Sequence, residues 1–374
     1  MVSRPLTVVQ VLPAMDSGGV ERGTLEVANE LVRRGHRSIV ISAPGRLVPQ
    51  LVSRGSEHIP WALGAKSPLV LRWVSRLRRL LARERVDILH ARSRLPAWIA
   101  YRAWRGMDPA ARPRLVTTAH GLYSVSRYSR VMTYGEQVIA VSETVRQYLL
   151  DNYPQMDPAK IRVIYRGVDE RVYPYGYRPD INWMQQWYRQ YPQLLDRHVI
   201  TLAGRLTRLK GHYDFIELIT RLRAQGIDVY GLLIGDDDQR RRSYARELRR
   251  HVSEKNLDGI IFTGHRDDLR NIMSVSNLVV SLSTQPESFG RTVLEALKLG
   301  TPVVGYDHGG VGELLGKLFP EGRTPVGHMG GLVAKTADFI QRPRRVEQSA
   351  QFRLGDMLDE TIALYQDLRG SVSQ

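Results

Sequence analysis

The chain has 374 residues, 43% of them apolar and 25% charged, which supplies two cores of ordinary domain size. It has no cysteine, so disulfides, thiolate metal sites and a cysteine nucleophile are excluded, and no apolar run approaches the ~18 residues of a membrane span. The net charge of +16 is uneven: residues 1–170 hold 26 Lys+Arg against 14 Asp+Glu, and residues 171–374 hold 28 against 24. A basic field in the first half attracts nucleic acid, an anionic lipid surface or a polyanionic substrate. The bland alternative is a generic surface from a genome that prefers Arg. The opening MVSRPLTVVQVL lacks the basic, long apolar and small-residue segments of a secretory signal, so a cytoplasmic chain is expected.

In chain order, Thr7–Leu12 is a continuous apolar run that fits a buried parallel strand. Val20–Arg34 follows with Val20, Thr24, Val27, Ala28 and Leu31 on one helical face. Ser38–Ser42, Val86–His90, Leu115–Thr118, Gln137–Val141 and Ile161–Tyr165 read as further strands. Between them, Leu69–Arg85 places Val70, Trp73, Val74, Leu77, Leu80 and Leu81 on a helical stripe, with Arg72, Arg76, Arg78, Arg79, Arg83 and Arg85 largely off it. Such a helix suits a membrane interface, or a core with a solvated outer face. The second half repeats the scheme. Val199–Ala203, Val229–Ile234, Ile260–Thr263, Leu278–Leu282 and Pro302–Tyr306 read as strands, and helical patterns run around His212–Ala224, Arg240–Glu254 and Thr292–Leu299.

Strands alternating with helices imply an α/β chain with doubly wound parallel sheets. The boundary falls in the Gly-, Pro- and Tyr-rich stretch Gly167–Pro179. The expected domains are 1–170 and 171–345, with a last helix at about 346–370 returning to the first.

Four segments can carry chemistry. Gly18-Gly19 lies between the first strand and first helix, where backbone N–H groups can meet an anion or a sugar, although no third glycine completes a dinucleotide fingerprint. Arg205 and Lys210 lie just beyond the carboxyl end of Val199–Ala203, where two cations can neutralise a diphosphate and stabilise it as a leaving group. Pro286–Glu295 (PESFGRTVLE) is the most specific. It places Phe289, Gly290 and Arg291 at a helix start that favours phosphate, with Glu287 just before the turn and Glu295 one turn in. Asp236-Asp237-Asp238 contains D-x-D, which can hold Mg²⁺ with a diphosphate or cap the helix near Gln239. His328, in glycine-rich Val326–Gly331, reads as part of a flexible turn.

The Glu287/Glu295 segment resembles the glutamate pair of the retaining glycosyltransferases of family 4. The resemblance runs through Gly18–Arg22, Asp87–Arg92 (DILHAR), Thr118–Gly121 (TAHG), Val141-Ser142-Glu143, Arg205 with Lys210, Gly235, Gly264-His265, Thr301-Pro302-Val303, and Gly309-Gly310 with Glu313. At the junction the family has N-G-V-D, whereas this chain has Arg166-Gly167-Val168-Asp169. The resemblance implies the GT-B fold, with two Rossmann-like domains facing a cleft. It assigns Arg205 and Lys210 to the donor diphosphate and Glu295 to the ribose. Glu287 and the N–H groups of Phe289, Gly290 and Arg291 go to the sugar and distal phosphate, with Thr292 adding a phosphate contact. His120 is assigned to the donor sugar, Gly18 and Gly19 to the phosphates, Gly235 and His265 to the nucleotide, and His90 and Arg92 to either the scaffold or the acceptor side.

The expected reaction is retaining transfer of a sugar from a nucleotide-sugar donor, a UDP-sugar by preference, with no metal and no other cofactor. The expected acceptor is an anionic, lipid-linked saccharide such as a lipopolysaccharide core intermediate, met at the inner face of the cytoplasmic membrane. Two rivals are a GT-B nucleotide-sugar epimerase and a basic nucleic-acid-binding protein, although no nucleic-acid module supports the latter. A third is a catalytically dead sugar-nucleotide sensor.

Overall fold

The computed structural model describes residues 4–16, 18–65, 67–235 and 242–370. The chain divides into two units, one of residues 1–167 with 354–374 and one of residues 168–353.

The first unit carries seven strands: β1 (Thr7–Ala14), β2 (Arg37–Ala43), β3 (Glu57–Pro60), β4 (Ile88–Ala91), β5 (Arg114–Ala119), β6 (Gln137–Ala140) and β7 (Ile161–Val163). They form one parallel sheet in the order β3-β2-β1-β4-β5-β6-β7. The central strand β1 is mostly apolar because helices cover both its faces, and its one deeply buried polar residue, Gln10, is hydrogen-bonded. Val9 and Val11 pack with Trp73, Leu77 and Trp104, while Val8 packs with Met357, Ile362 and Tyr365 of the last helix, Leu354–Gly370. That helix starts later than its sequence suggests, because Val346 is buried within the second unit and Phe352 takes a positive φ of 59°.

The second unit repeats the architecture with β8 (His198–Ala203), β9 (Val229–Ile234), β10 (Ile260–Gly264), β11 (Leu278–Ser281), β12 (Val303–Tyr306) and β13 (Arg323–Thr324), in the parallel order β10-β9-β8-β11-β12-β13. In each sheet the winding reverses beside the first strand, between β1 and β4 and between β8 and β11. An open α/β sheet binds ligands outside the strands' carboxyl ends at that point.

Two edge strands are absent from the sequence reading. β3 is a half-exposed four-residue edge strand and β13 has only two residues, so neither presents an apolar run. Val326–Gly331, read as a flexible turn, turns at Val326 and Gly327 and then enters the helix Met329–Gln341, with His328 Nδ1 accepting from the Gly331 N–H at 3.2 Å.

A 3₁₀ turn, Pro68–Leu71, leads into the helix Arg72–Arg83, whose Trp73, Leu77, Leu80 and Leu81 are buried in the first unit's core. Trp73 stacks on Trp61 at 5.0 Å, and the Arg72 and Arg76 guanidinium groups lie 4.7 and 5.0 Å from its ring centroid. The apolar stripe is therefore core, and insertion of this face into a membrane interface is excluded as long as the unit stays folded. Arg72, Arg76, Arg78, Arg79 and Arg83 stay exposed on the other side.

This packing sets an expected asymmetry. Trp73→Ala should cost about 3–5 kcal/mol, and Arg79→Ala less than about 0.5 kcal/mol, read from urea denaturation midpoints. Equal, small losses would mean that the stripe is not core.

Candidate active site

In the second unit, β8 ends at Ala203 and the chain turns through the 3₁₀ segment Arg208–Lys210 into the helix His212–Ala224. Gly211 makes the turn possible. Its backbone is left-handed (φ 68°, ψ 33°), and a Cβ there would sit 1.9 Å from the carbonyl oxygen of Leu282. Lys210 is thus pressed toward the loop after β11, and its Nζ lies 2.7 Å from Glu287 Oε1.

That loop is braced on several sides. Ser283 Oγ donates to Glu287 Oε1, His308 Nε2 donates to the Ser283 carbonyl at 2.7 Å, and the Gly310 N–H donates to the Glu287 carbonyl at 2.7 Å. Phe289 is buried edge-on to Phe352. Gly290, also left-handed (φ 94°), caps the helix Arg291–Leu299. The carboxyl-end residues of β8 and β11 line one small cavity together with Lys210, Ser283, Glu287, Gly290 and Thr292. Lys210, Glu287, Gly290 and Thr292 therefore meet at the expected switch point.

Burial alone pushes the Glu287 carboxyl up. Lys210, helped by Ser283 and His308, more than offsets this, so its pKa falls below the ordinary value. Glu295 has a different environment. Its side chain is 6% exposed and its Oε1 takes the Arg291 Nε–H at 2.9 Å, one helical turn away. Arg291 thus places a side chain as well as an N–H at the helix start.

The remaining expected residues of this unit are more dispersed. Arg205 lies exposed in the loop after β8. Gly235 follows β9, its N–H donating to the Gly264 carbonyl at 3.1 Å. His265 is exposed after β10 and pairs with Asp267 at 3.0 Å. None of these three lines the Lys210 cavity. Asp236, Asp237 and Asp238 lie outside the described residues. Among the described residues no group of three or more His, Asp or Glu side chains is arranged to hold a metal ion.

In the first unit, Gly18 caps the helix Gly19–Arg33 at the carboxyl edge beside β1, and both glycines are exposed. His120 follows β5, and its Nδ1 accepts from Arg166 Nη2 at 3.1 Å. Burial first, then the charges of Arg166 and Arg92 and the neighbouring His90, hold the imidazole well below its usual range, so it is neutral at pH 7.

His90 and Arg92 are 0% and 2% exposed. His90 Nδ1 is 2.5 Å from the Tyr365 hydroxyl and its Nε2 is 2.6 Å from Thr118 Oγ1, while Arg92 Nε donates to Gln10 Oε1 at 2.7 Å. With these side chains engaged in the core, the geometry favours the scaffold reading of the pair over the acceptor one. Asp87 is structural too, its carboxylate accepting the Thr7 N–H at 2.8 Å.

Sequence reasoning missed Ser283, His308, Tyr365 and the side-chain role of Arg166. Ser283 and His308 lie within a few residues of motifs it used, but their partners are set by adjacent strands. Tyr365 comes from a helix far along the chain.

The Lys210–Glu287 pair yields a signed prediction. Glu287, with its depressed pKa, adds stability above the unfolded carboxyl pKa, and this is lost as pH falls through the folded value. In Lys210→Met the burial effect dominates, the Glu287 pKa rises above its unfolded value, and the buried charge destabilises the fold at neutral pH. The gap in melting temperature between wild type and this variant should therefore narrow as pH falls from neutral to about 4. A pH-independent gap would show that the carboxylate does not depend on Lys210.

A family model described as Glycosyltransferase Family 4 matches residues 17–172, and one described as Glycosyl transferases group 1 matches residues 185–340. N-acetyl-alpha-D-glucosaminyl L-malate synthase of Bacillus anthracis is 26% identical over 316 residues, covering 81% of this chain and 79% of that protein. The solved structure of a glycosyltransferase from Rickettsia africae ESF-5 superimposes with a TM-score of 0.86 at 28% identity, over 98% of this chain and 99% of that one. Anabaena HepE in complex with UDP and glucose gives a TM-score of 0.81 at 20% identity over 97% and 100% of the two chains, a likeness of fold. With both halves matched in order and sheets of this winding, the chain belongs to the family 4 glycosyltransferases and has the GT-B fold.

Proposed function

We propose that this glycosyltransferase uses a UDP-sugar donor and transfers the sugar with retention to an anionic acceptor. The observation that carries the donor half is the Lys210–Glu287 pair, held with Gly290 and Thr292 around one cavity at the β8/β11 switch point. A lysine ammonium has three N–H donors, so Lys210 can keep Glu287 and still bind a diphosphate oxygen. Arg205 supplies the second cation, and the charge that develops on the departing diphosphate is stabilised without a divalent ion. Glu295 takes the ribose hydroxyls. His120 meets the donor sugar, with Gly18 and Gly19 at the phosphates and Gly235 and His265 at the nucleotide. The solved Anabaena relative with UDP and glucose supports the choice of nucleotide.

In this reading Glu287 positions the sugar and is not a nucleophile, since its carboxylate is already engaged by Lys210 and Ser283. The acceptor hydroxyl attacks the face from which the diphosphate departs, and a phosphate oxygen takes its proton.

The acceptor half rests on charge. The first half of the chain carries the basic excess, and the helix Arg72–Arg83 turns its arginines outward. A phosphorylated glycolipid such as a lipopolysaccharide core intermediate, met at an anionic membrane surface, suits that field. The Bacillus anthracis relative, named for an L-malate product, favours a second reading in which the acceptor is a small carboxylate. Among the described residues no helix is long and apolar enough to cross a membrane.

A UDP-sugar at about 100 times its Kd should stabilise the protein by about 2.7 kcal/mol, and Lys210→Ala should lower kcat/KM about 100-fold. EDTA should leave the rate unchanged. A panel in which no uridine nucleotide raises the melting temperature would reject the donor assignment. Anionic vesicles should carry the protein in flotation at low salt and release it at high salt, whereas neutral vesicles should not carry it. Equal binding to both would remove the membrane surface and leave the small-acceptor reading.

A further inference from the structure

The departure from the family pattern at Arg166 puts a long cation where the family carries a short amide. We propose that Arg166 is a positioning residue that fixes the tautomer of His120 and ties it to the glycine loop.

Arg166 Nη2 donates to the Gly19 carbonyl oxygen at 3.0 Å and lies 3.1 Å from His120 Nδ1. A guanidinium has donors only, so Nδ1 must be the acceptor of this contact. The neutral ring then carries its proton on Nε2, which becomes a hydrogen-bond donor of fixed direction. A second proton has no place on Nδ1 while the guanidinium is there. The charged and titratable groups around the imidazole are Arg166, Arg92 and His90, with the Tyr123 hydroxyl at its backbone N–H. All the charged neighbours among these are cations, which oppose protonation of the ring.

The helix beside Arg166 is shaped to receive it. A Cβ on Gly23 would sit 2.2 Å from Nη1 and 2.4 Å from Nη2. On a helix interior glycine costs about 1 kcal/mol relative to alanine, so this position gives up helix stability where the guanidinium lies. The Met357 sulfur is 3.6 Å from Nη1. An asparagine in place of Arg166 is too short to reach both Gly19 and His120. In this chain the glycine loop and the histidine therefore move as one piece, joined through one side chain.

The inference rests on the proposed contact of His120 with the donor sugar, and the test separates the two. Imidazole ¹⁵N spectra, with the His120 signals assigned by their loss in His120→Ala, should show a protonated Nε2 and a bare Nδ1 in the wild type. In Arg166→Asn the ring should populate both tautomers and its pKa should rise, while Arg166→Lys, which keeps a donor near Nδ1, should preserve the Nε2–H form. Gly23→Ala should shift the spectrum as Arg166→Asn does, by displacing the guanidinium, yet raise the melting temperature when combined with Arg166→Asn. Turnover should fall about 10–100-fold in Arg166→Asn, with the donor KM little changed and partial recovery in Arg166→Lys. Unchanged tautomers in both Arg166→Asn and Gly23→Ala would overturn the positioning role. A changed tautomer with unchanged turnover would keep the tether and overturn the contact of His120 with the sugar.

Discussion

A parallel sheet delivers every strand's carboxyl end to one edge, and each chain segment must turn there before it can descend as a helix. In this protein that constraint applies twice. Where the winding reverses, neighbouring loops diverge and leave a crevice. The loops after β8 and β11 meet at such a place, and their closest approach is set by Gly211, where only a hydrogen fits beneath the Leu282 carbonyl. Lys210 and Glu287, 77 residues apart in sequence, are neighbours for this reason. Each meets the condition of a half-buried charge by pairing with the other. Ser283, His308 and Gly310 then fix the glutamate loop from behind, so that the carboxylate's direction is determined by backbone geometry.

The first unit meets the same constraint with different chemistry. Its carboxyl edge gathers His90, Arg92, His120 and Arg166, where the histidines meet hydroxyl and guanidinium groups. The two most buried of these, His90 and Arg92, are absorbed by Tyr365, Thr118 and Gln10. The two nearer the glycine loop, His120 and Arg166, are hydrogen-bonded to each other, and Arg166 also reaches the Gly19 carbonyl. Burial thus divides one motif-rich edge into a deep layer and a shallower one, and the side chains of D-x-x-H-x-R are engaged in the deep layer.

The fold was legible wherever one residue pattern had a single physical meaning. β9 and the helix His212–Ala224 have the bounds their sequences imply, because a run covered on both faces and a helix with one apolar side leave little choice. β3 and β13 were not legible, since edge strands need no apolar run. The stripe of Leu69–Arg85 was legible as a helix, and of its two readings the core one holds; periodicity alone could not decide, because it reports which face is apolar and not what covers it. In the site, Lys210 and Glu287 could be picked out by motif, while their ion pair could not, as strand adjacency decides it. The engagement of Glu295 by Arg291 follows from ordinary helical spacing and was available from the sequence. His90 and Arg92 stayed open between scaffold and acceptor side because sequence carries no depth within a sheet.

The chain enters the second unit at Val168 and leaves it at Arg353, and these two residues pair as an isolated parallel bridge. The second unit is therefore a continuous insertion whose ends lie side by side, and the first unit is split. On a ribosome, the inserted unit is complete when residue 353 has emerged. The older half is still waiting, with Leu6, Val8, Ile88 and Val116 lacking the helix Leu354–Gly370 that covers them. The half made first is thus finished last, and its sheet face stays open until the helix Leu354–Gly370 has emerged.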